Sequence, residues 1–394
     1  MNQLFPMDPT LAKHIRNRRF AEMQQAQADV IDRIDTNALS LFNTRIKAQD
    51  EQGKLKSSIR YYWILKMAQY LQNNSFVAIL ASYEIGKIGV VGEYCITIMY
   101  LDNHHQDGKF GVVDTASRIR NRTERSHTWL AMSHYIETEF SEGRQEEIWQ
   151  TVHKLFKLYH QGMVMDQAAL NIDNLLTDNR ENVHMIPGLE AEIDLEAFVS
   201  IFESYKPHKY GEIVPTNYLR LLIARAYLIN AVFFQVFTEL LTRLYGNPGQ
   251  DYRSLVKFAQ AYGIAQQLVN DNCDYAPISY GMTTVCKLPE DTFSDLRRGM
   301  ITLPIAMHLG RDTTQNNKIS EHYRNAAVTL ESVEDWQQRY ILQELIESKA
   351  LTDSMGWVCG LAKAATQDIQ DPIITDLFSF VLGNRYYQLY NSLR

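Results

Sequence analysis

The chain has 394 residues, 45% of them apolar and 22% charged, which supports one large buried core and excludes a wholly disordered polymer. Its 39 lysines and arginines against 46 aspartates and glutamates leave a formal charge of −7; the basic residues are dispersed, so no nucleic-acid surface is expected. The four cysteines, Cys95, Cys273, Cys286 and Cys359, are widely scattered and form no C-x-x-C pair, so neither a disulfide framework nor a zinc knuckle is suggested and reduced thiols are expected.

The N-terminus, MNQLFPMDPTLAKHIRNRRF, has no apolar h-region of the kind a secretory signal carries. The longest apolar stretch, Leu219 to Phe237, is broken by Arg220 and Arg225 and falls short of the ~20 apolar residues of a bilayer span. The expectation is a soluble, cytoplasmic protein without stable membrane insertion. Only 10 prolines, long i, i+3, i+4 apolar periodicity and no convincing period-2 segment predict an all-α protein. In chain order the helical windows are 10 to 48, 55 to 73, 76 to 103, 125 to 139, 144 to 172, 194 to 204, 216 to 245, 251 to 275, 298 to 309, 335 to 349 and 351 to 390. Residues 1–48 read as an N-terminal helical extension, 49–394 as the main domain, and the polar, proline-containing stretch 173–215 as an insertion or lid. The basic run RIRNRTER, 118 to 125, reads as a solvated loop.

The segment richest in chemistry runs FAQAYGIAQQLVNDNCDYAP and then KLPEDTFSDLRRGMITLPIAMHL: an acidic cluster at a helix end, a polar loop, and a new helix. It resembles the trans-isoprenyl diphosphate synthase family, whose pattern is Q-x-x-D-D-x-x-D, a lysine-containing loop, and D-L-x-x-G-K-x-T-L-P. Gln267, Asp271, Asp274, Asp295, Leu296, Gly299, Thr302, Leu303 and Pro304 match without a gap. Asn270 stands where the first aspartate is expected and Met300 where the lysine is expected. Upstream, GEYCITIMYLDNHHQDGKFG occupies the place of the family's first aspartate-rich motif. A register starting at Asn103 uses Asn103, His104 and Asp107; one starting at Asp102 gives a longer spacing to Asp107. Both registers remain open. Weaker echoes are Gly53 and Lys54 ahead of Arg60, Gln167, and Tyr218 seven residues before Arg225.

The resemblance implies a class I terpenoid synthase bundle around a central apolar cavity, a homodimer, an isoprenyl diphosphate substrate of ten to twenty carbons, and magnesium as cofactor. It places the metal at Asp102, Asn103, Asp107, Asn270, Asp271 and Asp274, with Asp102, Asp107, Asp271 and Asp274 as the catalytic carboxylates. Because magnesium keeps water and phosphate oxygens as ligands, one or two carboxylates per helix suffice, and residues at i and i+4 share a helix face. Diphosphate contacts fall to Arg225, Lys287, Arg297, Arg298, Lys54 and Arg60. Thr97, Ile98 and Met99 are expected to line the chain pocket. Three functions follow: a terpene synthase, expected first because the second diphosphate corner GKLKSSIR lacks a histidine on the next helix; a prenyltransferase; or a non-catalytic partner subunit. Adjacent His104 and His105 suit a softer metal but diverge around a helix.

Overall fold

A computed structural model describes residues 59–73, 81–106, 115–168, 188–204, 216–275, 293–297, 299–311 and 335–369, with the single positions 170, 175, 186, 214, 371, 374 and 377. The elements are α1 (Ile59–Asn73), α2 (Ala81–Gln106), α3 (Thr115–Glu139), α4 (Glu142–Ala168), a 3₁₀ turn (Leu189–Ala191), α5 (Leu195–Ser204), α6 (Thr216–Ala226), a π-helical segment (Tyr227–Ala231), α7 (Val232–Tyr245), α8 (Arg253–Cys273), α9 (Ser294–Arg297), α10 (Leu303–Arg311), α11 (Asp335–Glu347) and α12 (Ala350–Thr366). No strand occurs among the described residues, as the periodicity predicts. The N-terminal extension lies outside the described residues.

The bundle is organised around one continuous helical rod. Residues Thr216–Tyr245 run through α6, the π segment and α7; this is the one described helix long and apolar enough to cross a membrane, and 94% of its most apolar window is buried inside the fold. It is hydrophobic on every side because neighbours cover every side: α1 and α4 pack against α7, α4 and α8 against the π segment, and α5 against α6. On the far side of α8 lies α12; beyond α1 lie α2 and then α3.

Aromatic rings fix the centre. The Trp63 ring lies 4.4 Å from Tyr262, 5.0 Å edge-on from Phe234 and 5.8 Å stacked on Phe258, and its N–H donates to Thr238 Oγ1 at 3.2 Å. These pairs join α1, α7 and α8 with ring geometry as well as burial.

Three elements differ from the periodicity. The basic run is helical, so α3 begins at Thr115, ten residues before its predicted start; Arg120 and Arg122 are exposed on it, and helix carries them as readily as a loop does. The window 298 to 309 is helical only from Leu303, the start of α10; the short α9 ends before it at Arg297, and Gly299, at φ 69°, separates the two, while Pro304 sits in the first turn of α10, where its missing N–H is no loss. Of stretch 173–215, the described part is anchored: Leu195, Phe198, Val199 and Phe202 are buried, and Phe202 lies 5.1 Å from Trp357 of α12.

Gly263 is where α8 meets the π segment. A Cβ there would clash with Ala231 Cα and lie 2.8 Å from the Phe234 ring. Gly263→Ala is therefore expected to lower stability by about 1–3 kcal/mol, as overpacking does, measured by urea unfolding followed by circular dichroism.

Candidate functional site

A cavity of about 320 Å³ opens between α1, α2, α4, α6, the π segment, α8 and α9. Each helix contributes one stripe at spacings of three and four, the period of a single helix face: Ile96, Met99, Tyr100 and Asn103 from α2; Tyr159, Met163 and Asp166 from α4; Arg225, Ile229 and Asn230 from α6 and the π segment; Gln267, Asn270 and Asp271 from α8; and Arg60, Ser294 and Asp295. Along α2 and α4 the lining passes from apolar to polar. Polar groups thus gather where the ends of α4 and α8 meet the junction of α6 with the π segment.

Their centre is a buried ion triad. Arg225, 3% exposed, donates from Nε to Asp166 Oδ1 at 2.5 Å and from Nη1 to Asp271 Oδ2 at 2.7 Å. Burial alone would lower the guanidinium's pKa, but Asp271 and Asp166 beside it hold it well above the usual value. Asp271 also accepts from Gln267 Nε2 at 2.7 Å. The π segment serves the site too: its wide turn is the kind of local irregularity that often marks functional positions. It presents Asn230, whose Nδ2 donates to Gly263 O at 2.7 Å while its Oδ1 accepts from Arg60 Nη2 at 3.0 Å.

The predicted site residues divide. Asn103, Asn270, Asp271, Arg225 and Arg60 meet on the cavity wall. Asp102 does not line it: Asp102 turns toward α3 and α4, accepting from Arg125 Nε at 2.6 Å, with His160 Nε2 at 3.6 Å. The residue of that motif facing the cavity is thus Asn103. Asp274 does not line the wall either. Asp274 follows Cys273, the last residue of α8, still in helical conformation, but its fully buried carboxylate accepts from Ser294 Oγ and from Asp295 N–H, each at 3.0 Å. It caps α9. Arg297 lies on α9; Lys54, Asp107, Lys287 and Arg298 lie outside the described residues. Of the expected chain-pocket residues, Met99 lines the cavity, joined by Ile96 and Tyr100; Thr97 is buried and its hydroxyl donates to Glu93 O at 2.9 Å.

The matched loop also has structural roles. Thr302 Oγ1 and Tyr275 Oη hydrogen-bond at 2.7 Å, Tyr218 Oη donates to Ile301 O at 2.8 Å, and Met300, in the place of the family's lysine, is 3% exposed. Sequence reasoning missed Asp166 as a site residue. Its signal was a lone carboxylate, three residues on from Met163, on the inward face of α4.

The lining holds three aspartates, Asp166, Asp271 and Asp295, against two arginines, Arg60 and Arg225, one negative charge in excess. A diphosphate entering this cavity would need additional cations. Among the described residues no three of His, Cys, Asp and Glu converge as a metal cage; but magnesium needs only one or two carboxylates when phosphate and water complete its octahedron. Asp271 and Asp295, with the amide oxygens of Asn103 and Asn270, are the oxygen donors of this lining that would hold such an ion. Such an ion would offset charge on phosphoryl oxygens.

Two substitutions test the geometry. Arg225→Gln leaves two buried carboxylates without their shared cation and is expected to reduce stability by about 3–5 kcal/mol, measured by urea titration. Asp274→Ala removes the acceptor that caps α9, so the variant should lose about 1 kcal/mol or more as well as any activity, in contrast to a carboxylate whose task is confined to metal.

No protein-family model and no curated protein sequence matches this chain. Solved structures do. A polyprenyl synthase from Caulobacter crescentus, complexed with calcium and isoprenyl diphosphate, superposes with TM-score 0.61 at 15% identity, covering 95% of this chain and 98% of that one. A geranylgeranyl pyrophosphate synthase from Lactobacillus brevis gives 0.58 at 14% identity over 93% and 98% of the two chains. A geranylgeranyl pyrophosphate synthetase from Pyrococcus horikoshii gives 0.56 at 13% over 95% and 97%. At such identities the likeness speaks for the backbone: the chain has the all-α isoprenyl diphosphate synthase fold.

Proposed function

We propose that the protein acts on an isoprenyl diphosphate, binding the head group at the Arg225, Asn103 and Asn270 end of the cavity and the hydrocarbon along Ile96, Met99, Met163 and Ile229, and that it releases the diphosphate to give a terpene. The observation that carries this reading is the polarity gradient of the cavity: apolar stripes on α2 and α4 lead into a cluster of arginine, amide and carboxylate groups, which suits a molecule with a charged head and an oily tail. Tyr100 and Tyr159 present aromatic rings to the same space, and a ring face stabilises an adjacent cation of the kind an ionised allylic chain becomes. Tyr159 is held in place by a 2.8 Å hydrogen bond from its hydroxyl to Met99 O. The fold neighbours named above are prenyl-chain synthases, and the Caulobacter structure holds an isoprenyl diphosphate. The bundle is proposed to act as a homodimer, as the family resemblance implies.

A specific observation also favours a non-catalytic partner subunit: two cavity carboxylates, Asp166 and Asp271, are both engaged by Arg225, and Met300 stands where the resembled family's pattern has a lysine. One experiment separates these readings. Purified protein is incubated with geranyl, farnesyl or geranylgeranyl diphosphate and magnesium, with and without isopentenyl diphosphate, while binding is followed by calorimetry. Hydrocarbon or terpene alcohol formed without isopentenyl diphosphate is the expected result. Longer diphosphates formed only in its presence would replace the terpene reading with chain elongation, and binding without turnover would identify a partner subunit. Neither binding nor turnover would sink the isoprenyl diphosphate assignment.

A further inference from the structure

We infer that Asp166 is a positioning residue that anchors the Nε edge of Arg225, leaving the guanidinium tip able to exchange Asp271 for the phosphate oxygens of an incoming diphosphate. This rests on the reading that the cavity takes a diphosphate. The two ion pairs engage different parts of the guanidinium fork: Nε faces Asp166 of α4, and Nη1 faces Asp271 of α8. Nη2 hydrogen-bonds to no described residue, although Arg225 lines the cavity. A guanidinium is rigid and planar, so one bond at Nε fixes where both terminal nitrogens point.

The charges explain why two carboxylates share one cation. Asp166 and Arg225 alone make a neutral pair, so Arg225 remains compensated inside the fold when Asp271 is drawn away. Asp271 stands on α8 beside Asn270 and in a cavity wall that also holds Asp295, the oxygen-rich part of the lining. A divalent cation arriving there with its diphosphate would compete with Nη1 for Asp271, and the released guanidinium tip would meet phosphate oxygens instead. Asp271 is thus the exchangeable partner and Asp166 the permanent one. Without Asp166, Arg225 would have to keep Asp271 as its counter-ion and would have no fixed direction once it let go.

The test uses full-length wild-type, D166N, D166E and R225K proteins, with inorganic pyrophosphate plus magnesium as the probe. Calorimetry of D166N should show pyrophosphate affinity weakened about tenfold or more, the loss expected when a charge-assisted contact is misdirected. Arginine-labelled protein should give a Nε–Hε resonance protected from solvent exchange, absent from R225K, whose protection disappears in D166N; a role confined to general stability would not move that single signal. D166E, which keeps the charge but displaces the guanidinium, serves if D166N does not fold, and an intermediate loss of affinity is expected there. Wild-type affinity in D166N, or in D166E if D166N does not fold, overturns the inference alone, as does a retained protected signal in D166N. Wild-type protein that binds no pyrophosphate overturns the diphosphate reading and this inference with it.

Discussion

The Asp166–Arg225–Asp271 triad is the constraint on which the rest of the site depends. A guanidinium at 3% exposure cannot stand inside a helical core without anionic partners, and the partners come from the helices on either side, α4 and α8. The triad therefore fixes the relative rotation of three helices at the end of the cavity where the polar stripes converge. Hydrophobic packing tolerates small rotations of a helix; two short charged hydrogen bonds from a planar group tolerate them far less.

Around that point the fold distributes tasks between irregular and regular backbone. The π segment widens the rod just past Arg225 and presents Asn230, while Gly263 lets α8 approach the same segment closely. The described residues just before α10 are tied down by buried polar groups: Asp274 on α9, Tyr275 on Thr302, and Tyr218 on Ile301. A residue type that looks like catalytic equipment in sequence can thus be a structural cap, as Asp274 is here, because capping and metal binding call for the same carboxylate oxygens.

Fold class was legible in the sequence because helical periodicity is local and the core demands it; the predicted windows over α1, α4 and α8 reappear with shifted ends, and the window 216 to 245 coincides with the rod. The glycine break at Gly299 was visible as a residue but not as a left-handed turn, since glycine occurs inside helices too. At the site, Arg225 stood out as a charge in an apolar run, and Asn270 and Asp271 as part of a spaced motif. Asp166 and Arg125 did not, because what makes them matter is a partner far away in sequence: Arg225 for the first, Asp102 for the second. Side-chain direction at a helix end was also beyond reach, which is why Asp102 and Asn103, adjacent in sequence, had to be told apart by the structure.

The rod from Thr216 to Tyr245 has one more consequence, for the order in which the chain is made. Of the helices packed against it, α1, α4 and α5 precede it and α8 comes afterwards. Most of its shelter is therefore already synthesised when this apolar segment leaves the ribosome. The face toward α8 is the one left uncovered until translation has moved past Cys273, so the risk of aggregation or capture by a chaperone concentrates on that face and in that interval.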